Sequence, residues 1–163
     1  MRNRSAIAGS VVFLLVAPGT VAGLLPWWLT RWEGLTRSTL LLSLGTLAIL
    51  AGVAVLLHAF ARFALEGSGT PAPVAPTRTL VVGGVYRFVR NPMYLAVIAI
   101  IAGQVLLFGS AALAVHALLA TAAMAAFARL YEEPTLARRY GASYEDYRRN
   151  VPGWLPRLTP WRG

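Results

Sequence analysis

NPMYLAVIAIIAGQVLLFGSAALAVHALLATAAMAAFA, residues 91–128, runs for 38 residues without one Asp, Glu, Lys or Arg. As a single helix it would be about 57 Å long at 1.5 Å per residue, roughly twice the thickness of a bilayer's hydrocarbon core. The stretch therefore has to reverse. Phe108-Gly109-Ser110 is the expected turn, because Gly tolerates the backbone angles a reversal needs. The polar segment before the stretch, Gly84-Val-Tyr-Arg-Phe-Val-Arg-Asn-Pro-Met-Tyr94, and the acidic pair after it, Glu132-Glu133, then emerge on the same side of the membrane.

Composition agrees with a membrane protein: 57% of the chain is hydrophobic, 13% is charged, and the mean hydropathy is +0.61. Ser5–Thr30 and Ser38–Ala61 are two further uncharged stretches. Each exceeds the roughly 20 apolar residues a spanning helix requires. Runs this long are not barrel strands, and lipid forces every backbone polar group to be satisfied within the segment. The expected fold is an all-α integral membrane protein of one domain. It has four transmembrane helices, near residues 5–28, 38–62, 92–108 and 111–132, the last two forming a tight hairpin.

All fifteen basic residues are Arg. With the N-terminus in the cytoplasm, thirteen of them fall inside and only Arg31 and Arg37 outside. This bias predicts that both termini are cytoplasmic. Topology and anionic head groups account for the net charge of +9, so no nucleic-acid partner is needed. The first 25 residues share some features of a signal peptide. Their apolar run is long, however, and ends in Pro26-Trp27-Trp28, which reads as an interfacial anchor on a retained helix.

The chain contains no Cys, which excludes disulfides and thiolate chemistry. His58 and His116 are too few for a His-rich metal site and read as packing or interface residues, so no metal is expected. Gln104, polar within a span, reads as a hydrogen bond between helices or as part of a cavity wall. Gly67-Ser-Gly-Thr-Pro-Ala-Pro-Val-Ala-Pro76 is a loop by its Pro and Gly content. Past the last span, Ser143 and Asp146 have the spacing of a capping box for a short helix through Arg149. Trp154 and Trp161 are expected at the membrane interface.

Gly84-x-Tyr86, Arg90-Asn-Pro-x-Tyr94, Glu132-Glu133-x-x-Leu136, Tyr140-Gly141-x-x-Tyr144 and Val151-Pro152 occur in that order. In order and spacing they resemble the isoprenylcysteine carboxyl methyltransferase family and the wider membrane phospholipid methyltransferase group, in a bacterial-type member. The resemblance covers roughly residues 77–158 and rests on the combination rather than on any one piece. It implies S-adenosylmethionine-dependent methyl transfer to a lipophilic or lipid substrate at the cytoplasmic face of the inner membrane. It also implies that Arg78, Thr79, Leu80, Val81, Tyr86, Arg90, Asn91, Pro92, Tyr94 and Glu132 bind the cofactor, with residues 67–91 as the cofactor loop. Asn91 stands where the family has His, and Ala96 where it has Gly. The eukaryotic enzymes hold the substrate carboxylate with an Arg at the position of Ala128, for which the neighbouring Arg129 is the candidate here. Glu133 is the candidate proton acceptor if the substrate is an amine.

Taken singly, the same residues have plainer readings. Arg87 and Arg90 can snorkel, Glu132-Glu133 can be a hydrated helix end, and Tyr86 and Tyr94 can be interfacial aromatics. The order of the motifs favours the methyltransferase. An NADPH-dependent membrane reductase of the sterol-reductase type and a non-catalytic protein on the same scaffold remain as alternatives.

Overall fold

The computed structural model describes residues 2–66 and 79–162, and every regular element among them is helical. α1 (Arg2–Gly19), a π-helical turn (Thr20–Leu24) and α2 (Leu25–Thr30) follow without a break. α3 (Thr39–Glu66) comes next, and a short 3-10 turn (Gly84–Arg87) precedes α4 (Pro92–Phe108). α5 (Ala111–Phe127), a second π-helical turn (Ala128–Glu132) and α6 (Glu133–Tyr140) are again continuous, and α7 (Ala142–Asn150) closes the helical part. The loop expected over 67–76 and Arg78 lie outside the described residues.

Three segments are long and apolar enough to cross a membrane: Ala8–Thr30, Thr39–Phe63 and Ala111–Tyr140. α4 is a shorter apolar helix of 17 residues. Leu40, Leu44, Leu47 and Leu50 on α3 and Leu118 and Leu119 on α5 all point outward. Such faces suit a solvent of acyl chains rather than water.

Between helices in lipid, close approach replaces the hydrophobic drive, so small residues mark the tightest contact. α3 and α4 meet in this way. A Cβ on Gly45 would lie 2.7 Å from the Gly103 carbonyl oxygen, and one on Gly52 would lie 2.7 Å from that of Ala96. Ala96 itself is 2% exposed. It packs in the apolar core with Leu56 and Phe60 of α3 and does not line the cavity described below.

The two π-helical turns share a cause. Pro26 and Pro134 each occupy the first turn of the helix that follows, where a missing N–H breaks the i→i−4 ladder. At the first site Ala22 O loses its donor, and Gln104 Nε2 supplies one from α4 at 2.7 Å. His116 Nε2 on α5 lies 2.8 Å from Val21 O and donates to it, since a carbonyl only accepts. Gln104 and His116 are thus inter-helix links that satisfy a broken backbone inside the apolar layer.

The chain leaves the bundle differently from the sequence expectation at its last span. Helix continues through the π turn to Tyr140 instead of ending near Glu132. Gly141, at φ 53° and ψ −127°, then breaks it with a conformation that favours glycine. α7 starts at Ala142 with no side-chain cap, so Ser143 and Asp146 do not form the expected capping box.

Candidate functional site

Two segments distant in sequence meet at the end of the bundle where α4 begins. Gly84 turns with φ +57°, and a Cβ there would lie 2.5 Å from His58 Nε2 and 2.7 Å from Arg62 Nε. Glycine therefore lets residues 79–91 lie directly on α3 and sends Tyr86 inward, 5% exposed, edge-on to Phe63. Past α7 the chain returns as an irregular strap. Arg90 N–H donates to Pro152 O at 2.9 Å, Asn91 N–H to Gly153 O at 3.2 Å, and Arg157 N–H to Phe88 O at 2.9 Å. Trp161 N–H donates to Arg87 O at 2.9 Å, and Arg87 Nε returns a bond to Trp161 O at 2.6 Å. Trp154 stacks on Tyr94 and Trp161 tilts against Tyr147, so both indoles pack inward on the protein.

The segment the strap holds, together with α6 and α7, lines a cavity of about 500 Å³, within the usual range for a small-molecule site. Its polar wall joins α4, α6 and α7. Arg90 Nη1 donates to Glu133 Oε1 at 2.9 Å and to Tyr144 OH at 3.0 Å. Tyr94 OH donates to Glu132 Oε1 at 2.6 Å. Tyr147 OH donates to Tyr86 O at 2.7 Å. The opposite wall is apolar, built from Phe13, Ala17, Pro18 and Val21 of the first helical segment, Phe60 of α3, and Met124 and Phe127 of α5. Two buried donors in the polar wall, Arg90 Nε and Asn91 Nδ2, have no partner among the described residues.

Burial raises the pKa of the phenols of Tyr86, Tyr144 and Tyr147 above the ordinary value of 10.0, with Tyr86 and Tyr147 the most affected. Arg90 opposes this rise at Tyr144 and Tyr147 without cancelling it. All three therefore remain neutral phenols that can donate as well as accept.

Of the residues singled out from sequence, Leu80, Val81, Tyr86, Arg90, Asn91, Pro92, Tyr94, Glu132 and Glu133 line this one cavity. Thr79 is exposed and not on its wall. Arg129 is exposed and lines a separate shallow pocket with Pro134, Ala137 and Arg148, which Glu133 also touches. The wider turn at Ala128–Glu132 sets which side each of these neighbours faces. Sequence reading gave no site role to Tyr144, Tyr147, Trp154 or Arg139. For the first two a signal existed: their i, i+3 spacing puts both on one face of a short helix.

No curated protein and no solved structure matches the chain. The profile of the phospholipid methyltransferase (PEMT) family matches residues 40–143, from the start of α3 to the start of α7. That match spans most of the chain and includes Arg90, Asn91, Tyr94, Glu132 and Glu133 of the cavity wall, and the protein belongs to the phospholipid methyltransferase family.

Proposed function

We propose that the protein transfers a methyl group from S-adenosylmethionine to a lipophilic acceptor at the cytoplasmic face of a bacterial inner membrane. In this reading α4 also spans, paired with α5 as a hairpin, giving four transmembrane helices with both termini inside. The observation that carries the proposal is the meeting, in one cavity, of Arg90, Asn91 and Tyr94 with Glu132 and Glu133, opposite an apolar wall.

The donor set suits this cofactor. Its ammonium and sulfonium are cationic and its carboxylate is anionic. Glu132 offers a carboxylate beside the Tyr94 ring for the cations, and Arg90 Nε and Asn91 Nδ2, without a partner among the described residues, are donors for the anion. When bound, S-adenosylmethionine would supply an electrophilic methyl group to an acceptor aligned opposite its sulfur, with S-adenosylhomocysteine as the leaving group. The residues of the chain align and exclude water. Tyr94 orients the Glu132 carboxylate, and Arg90 fixes Glu133 and Tyr144 in one network. A carboxylate acceptor needs no base, whereas an amine must lose a proton, and Glu133 is the proposed acceptor of it. The apolar wall formed by Phe13, Phe60, Met124 and Phe127 accommodates the hydrocarbon part of the substrate.

Calorimetry on the purified protein with S-adenosylhomocysteine and, separately, NADPH tests the assignment. Micromolar binding of the former, about −8 kcal/mol, is expected. No binding at millimolar concentration in both detergent and lipid overturns it. Tight NADPH binding instead would make the protein a reductase.

A further inference from the structure

The cavity wall carries a cation that the cofactor reading does not use. Arg139, on α6, lines the cavity beside Tyr140, and its guanidinium lies 5.8 Å from the centroid of the Tyr140 ring. Among the described residues it pairs with no carboxylate, whereas Arg90 is bonded to Glu133 and Arg148 pairs with Glu145. Its neighbour Arg138 is not itself on the cavity wall and donates to Thr135 Oγ1 at 3.2 Å. Arg129, the sequence candidate for holding an acceptor anion, faces the shallow pocket outside. An exposed arginine on the polar side of a cavity whose other wall is apolar is suited to an amphiphile with an anionic head. Its planar fork matches a carboxylate or phosphate, while the tail lies along the aromatic and methionine wall.

We propose that Arg139 is the specificity-determining residue for the acceptor, recognising a carboxylate or phosphate on a lipophilic substrate whose hydrocarbon part fills the slot formed by Phe13, Phe60, Met124 and Phe127. This rests on the methyltransferase reading of the same cavity. It names the charge of the substrate, which that reading leaves open, and it moves the anion contact from Arg129 to Arg139.

The test uses full-length protein in one nonionic detergent, with S-adenosylhomocysteine affinity and helicity measured on every sample. Dodecanoate, dodecyl phosphate and dodecan-1-ol are titrated against tryptophan fluorescence. They share a tail length, and micelle partitioning of each probe is common to all variants. The parent should bind at least one anionic probe about tenfold more tightly than the alcohol. Arg139→Gln should remove that preference, Arg139→Lys should restore most of it, and Arg138→Gln should leave it intact. Affinity for S-adenosylhomocysteine should not change in any of them. A preference confined to dodecanoate identifies a carboxylate, and one confined to dodecyl phosphate a lipid phosphate. Arg139→Gln keeping the full preference overturns the proposal, as does an equal loss in Arg138→Gln, which would reveal only general surface charge. Loss in Arg129→Gln alone returns the role to Arg129. A parent that fails to bind S-adenosylhomocysteine sinks the methyltransferase reading, an outcome separate from any behaviour of Arg139.

Discussion

Glu132 is the residue on which the cofactor reading most directly depends, because its carboxylate accepts the Tyr94 hydroxyl inside the cavity rather than meeting bulk water. Glu132→Gln keeps size and removes charge. Losing a charge-assisted bond to an ammonium should weaken S-adenosylhomocysteine binding by about 1.5–3 kcal/mol, roughly tenfold to a hundredfold. Glu145→Gln and Asp146→Asn, on α7 and off the cavity wall, should leave affinity unchanged in the same calorimetry. Equal affinity of Glu132→Gln and parent would reduce the acidic pair to a helix end. The buried phenols predict a pH response as well. Below pH 10 they are neutral in folded and unfolded chains alike, so they add no slope there. Above it the unfolded chain releases protons that the raised values of Tyr86 and Tyr147 retain, so stability must fall as pH rises. A thermal midpoint that stays flat from pH 9 to 11 would contradict their burial. The membership of the site was partly legible at this scale, since the family resemblance named residues on both sides of the cavity. The facing of Arg129 was not, because it depends on helical phase across a π turn that leaves no compositional trace beyond Pro134.

At the scale of elements, the apolar helices were legible because runs without charge admit no other structure in lipid. Their interruptions were not. Pro26 lies inside the expected first span and Pro134 just past the expected end of the last, and each is absorbed by a wider turn, with donors from other helices completing the backbone at Pro26. Gln104→Leu leaves Ala22 O without its donor and should cost about 1 kcal/mol, within the range for buried bonds between membrane helices. Gly52→Val is the stronger perturbation, because the added side chain meets the Ala96 carbonyl and Ile100 rather than a yielding side-chain end. It should separate α3 from α4 and destabilise by about 1–3 kcal/mol, the usual effect of overpacking. Both effects are read as lowered denaturation midpoints in one detergent. Gly23→Ala, where nothing lies within 4 Å of the added methyl, is the matched control and should unfold with the parent. A Gly52→Val protein as stable as the parent would mean that the close α3–α4 contact is not a source of stability.

For the molecule as a whole, charge and cavity point to the same end of the bundle. The cavity is walled by residues from Leu80 to Tyr94, by α6 and by α7, and the strap through Trp161 is tied to residues 87–91 by backbone hydrogen bonds, so that these segments carry most of the described arginines. Arg31 and Arg37 lie at the other end, where Thr36 N–H donates to Leu107 O and the connection between α4 and α5 is also found. Moving arginines across a membrane is costly, so the arginine-rich end should face the cytoplasm, where a water-soluble nucleotide cofactor is also made available. Alkaline phosphatase fused at the C-terminus should therefore be inactive and green fluorescent protein bright. The same phosphatase inserted between Gly109 and Ser110 should be active. That insertion also decides the span count. If α4 fails to cross, residue 109 and the C-terminal strap cannot lie on opposite sides of the membrane with α5 as the only intervening span unless the site end itself is split. Such a split would break the hydrogen bonds that bind the strap to residues 87–91. Active phosphatase at the C-terminus would place the cavity outside, remove it from the cytoplasmic supply of S-adenosylmethionine, and leave the methyltransferase assignment without a cofactor source.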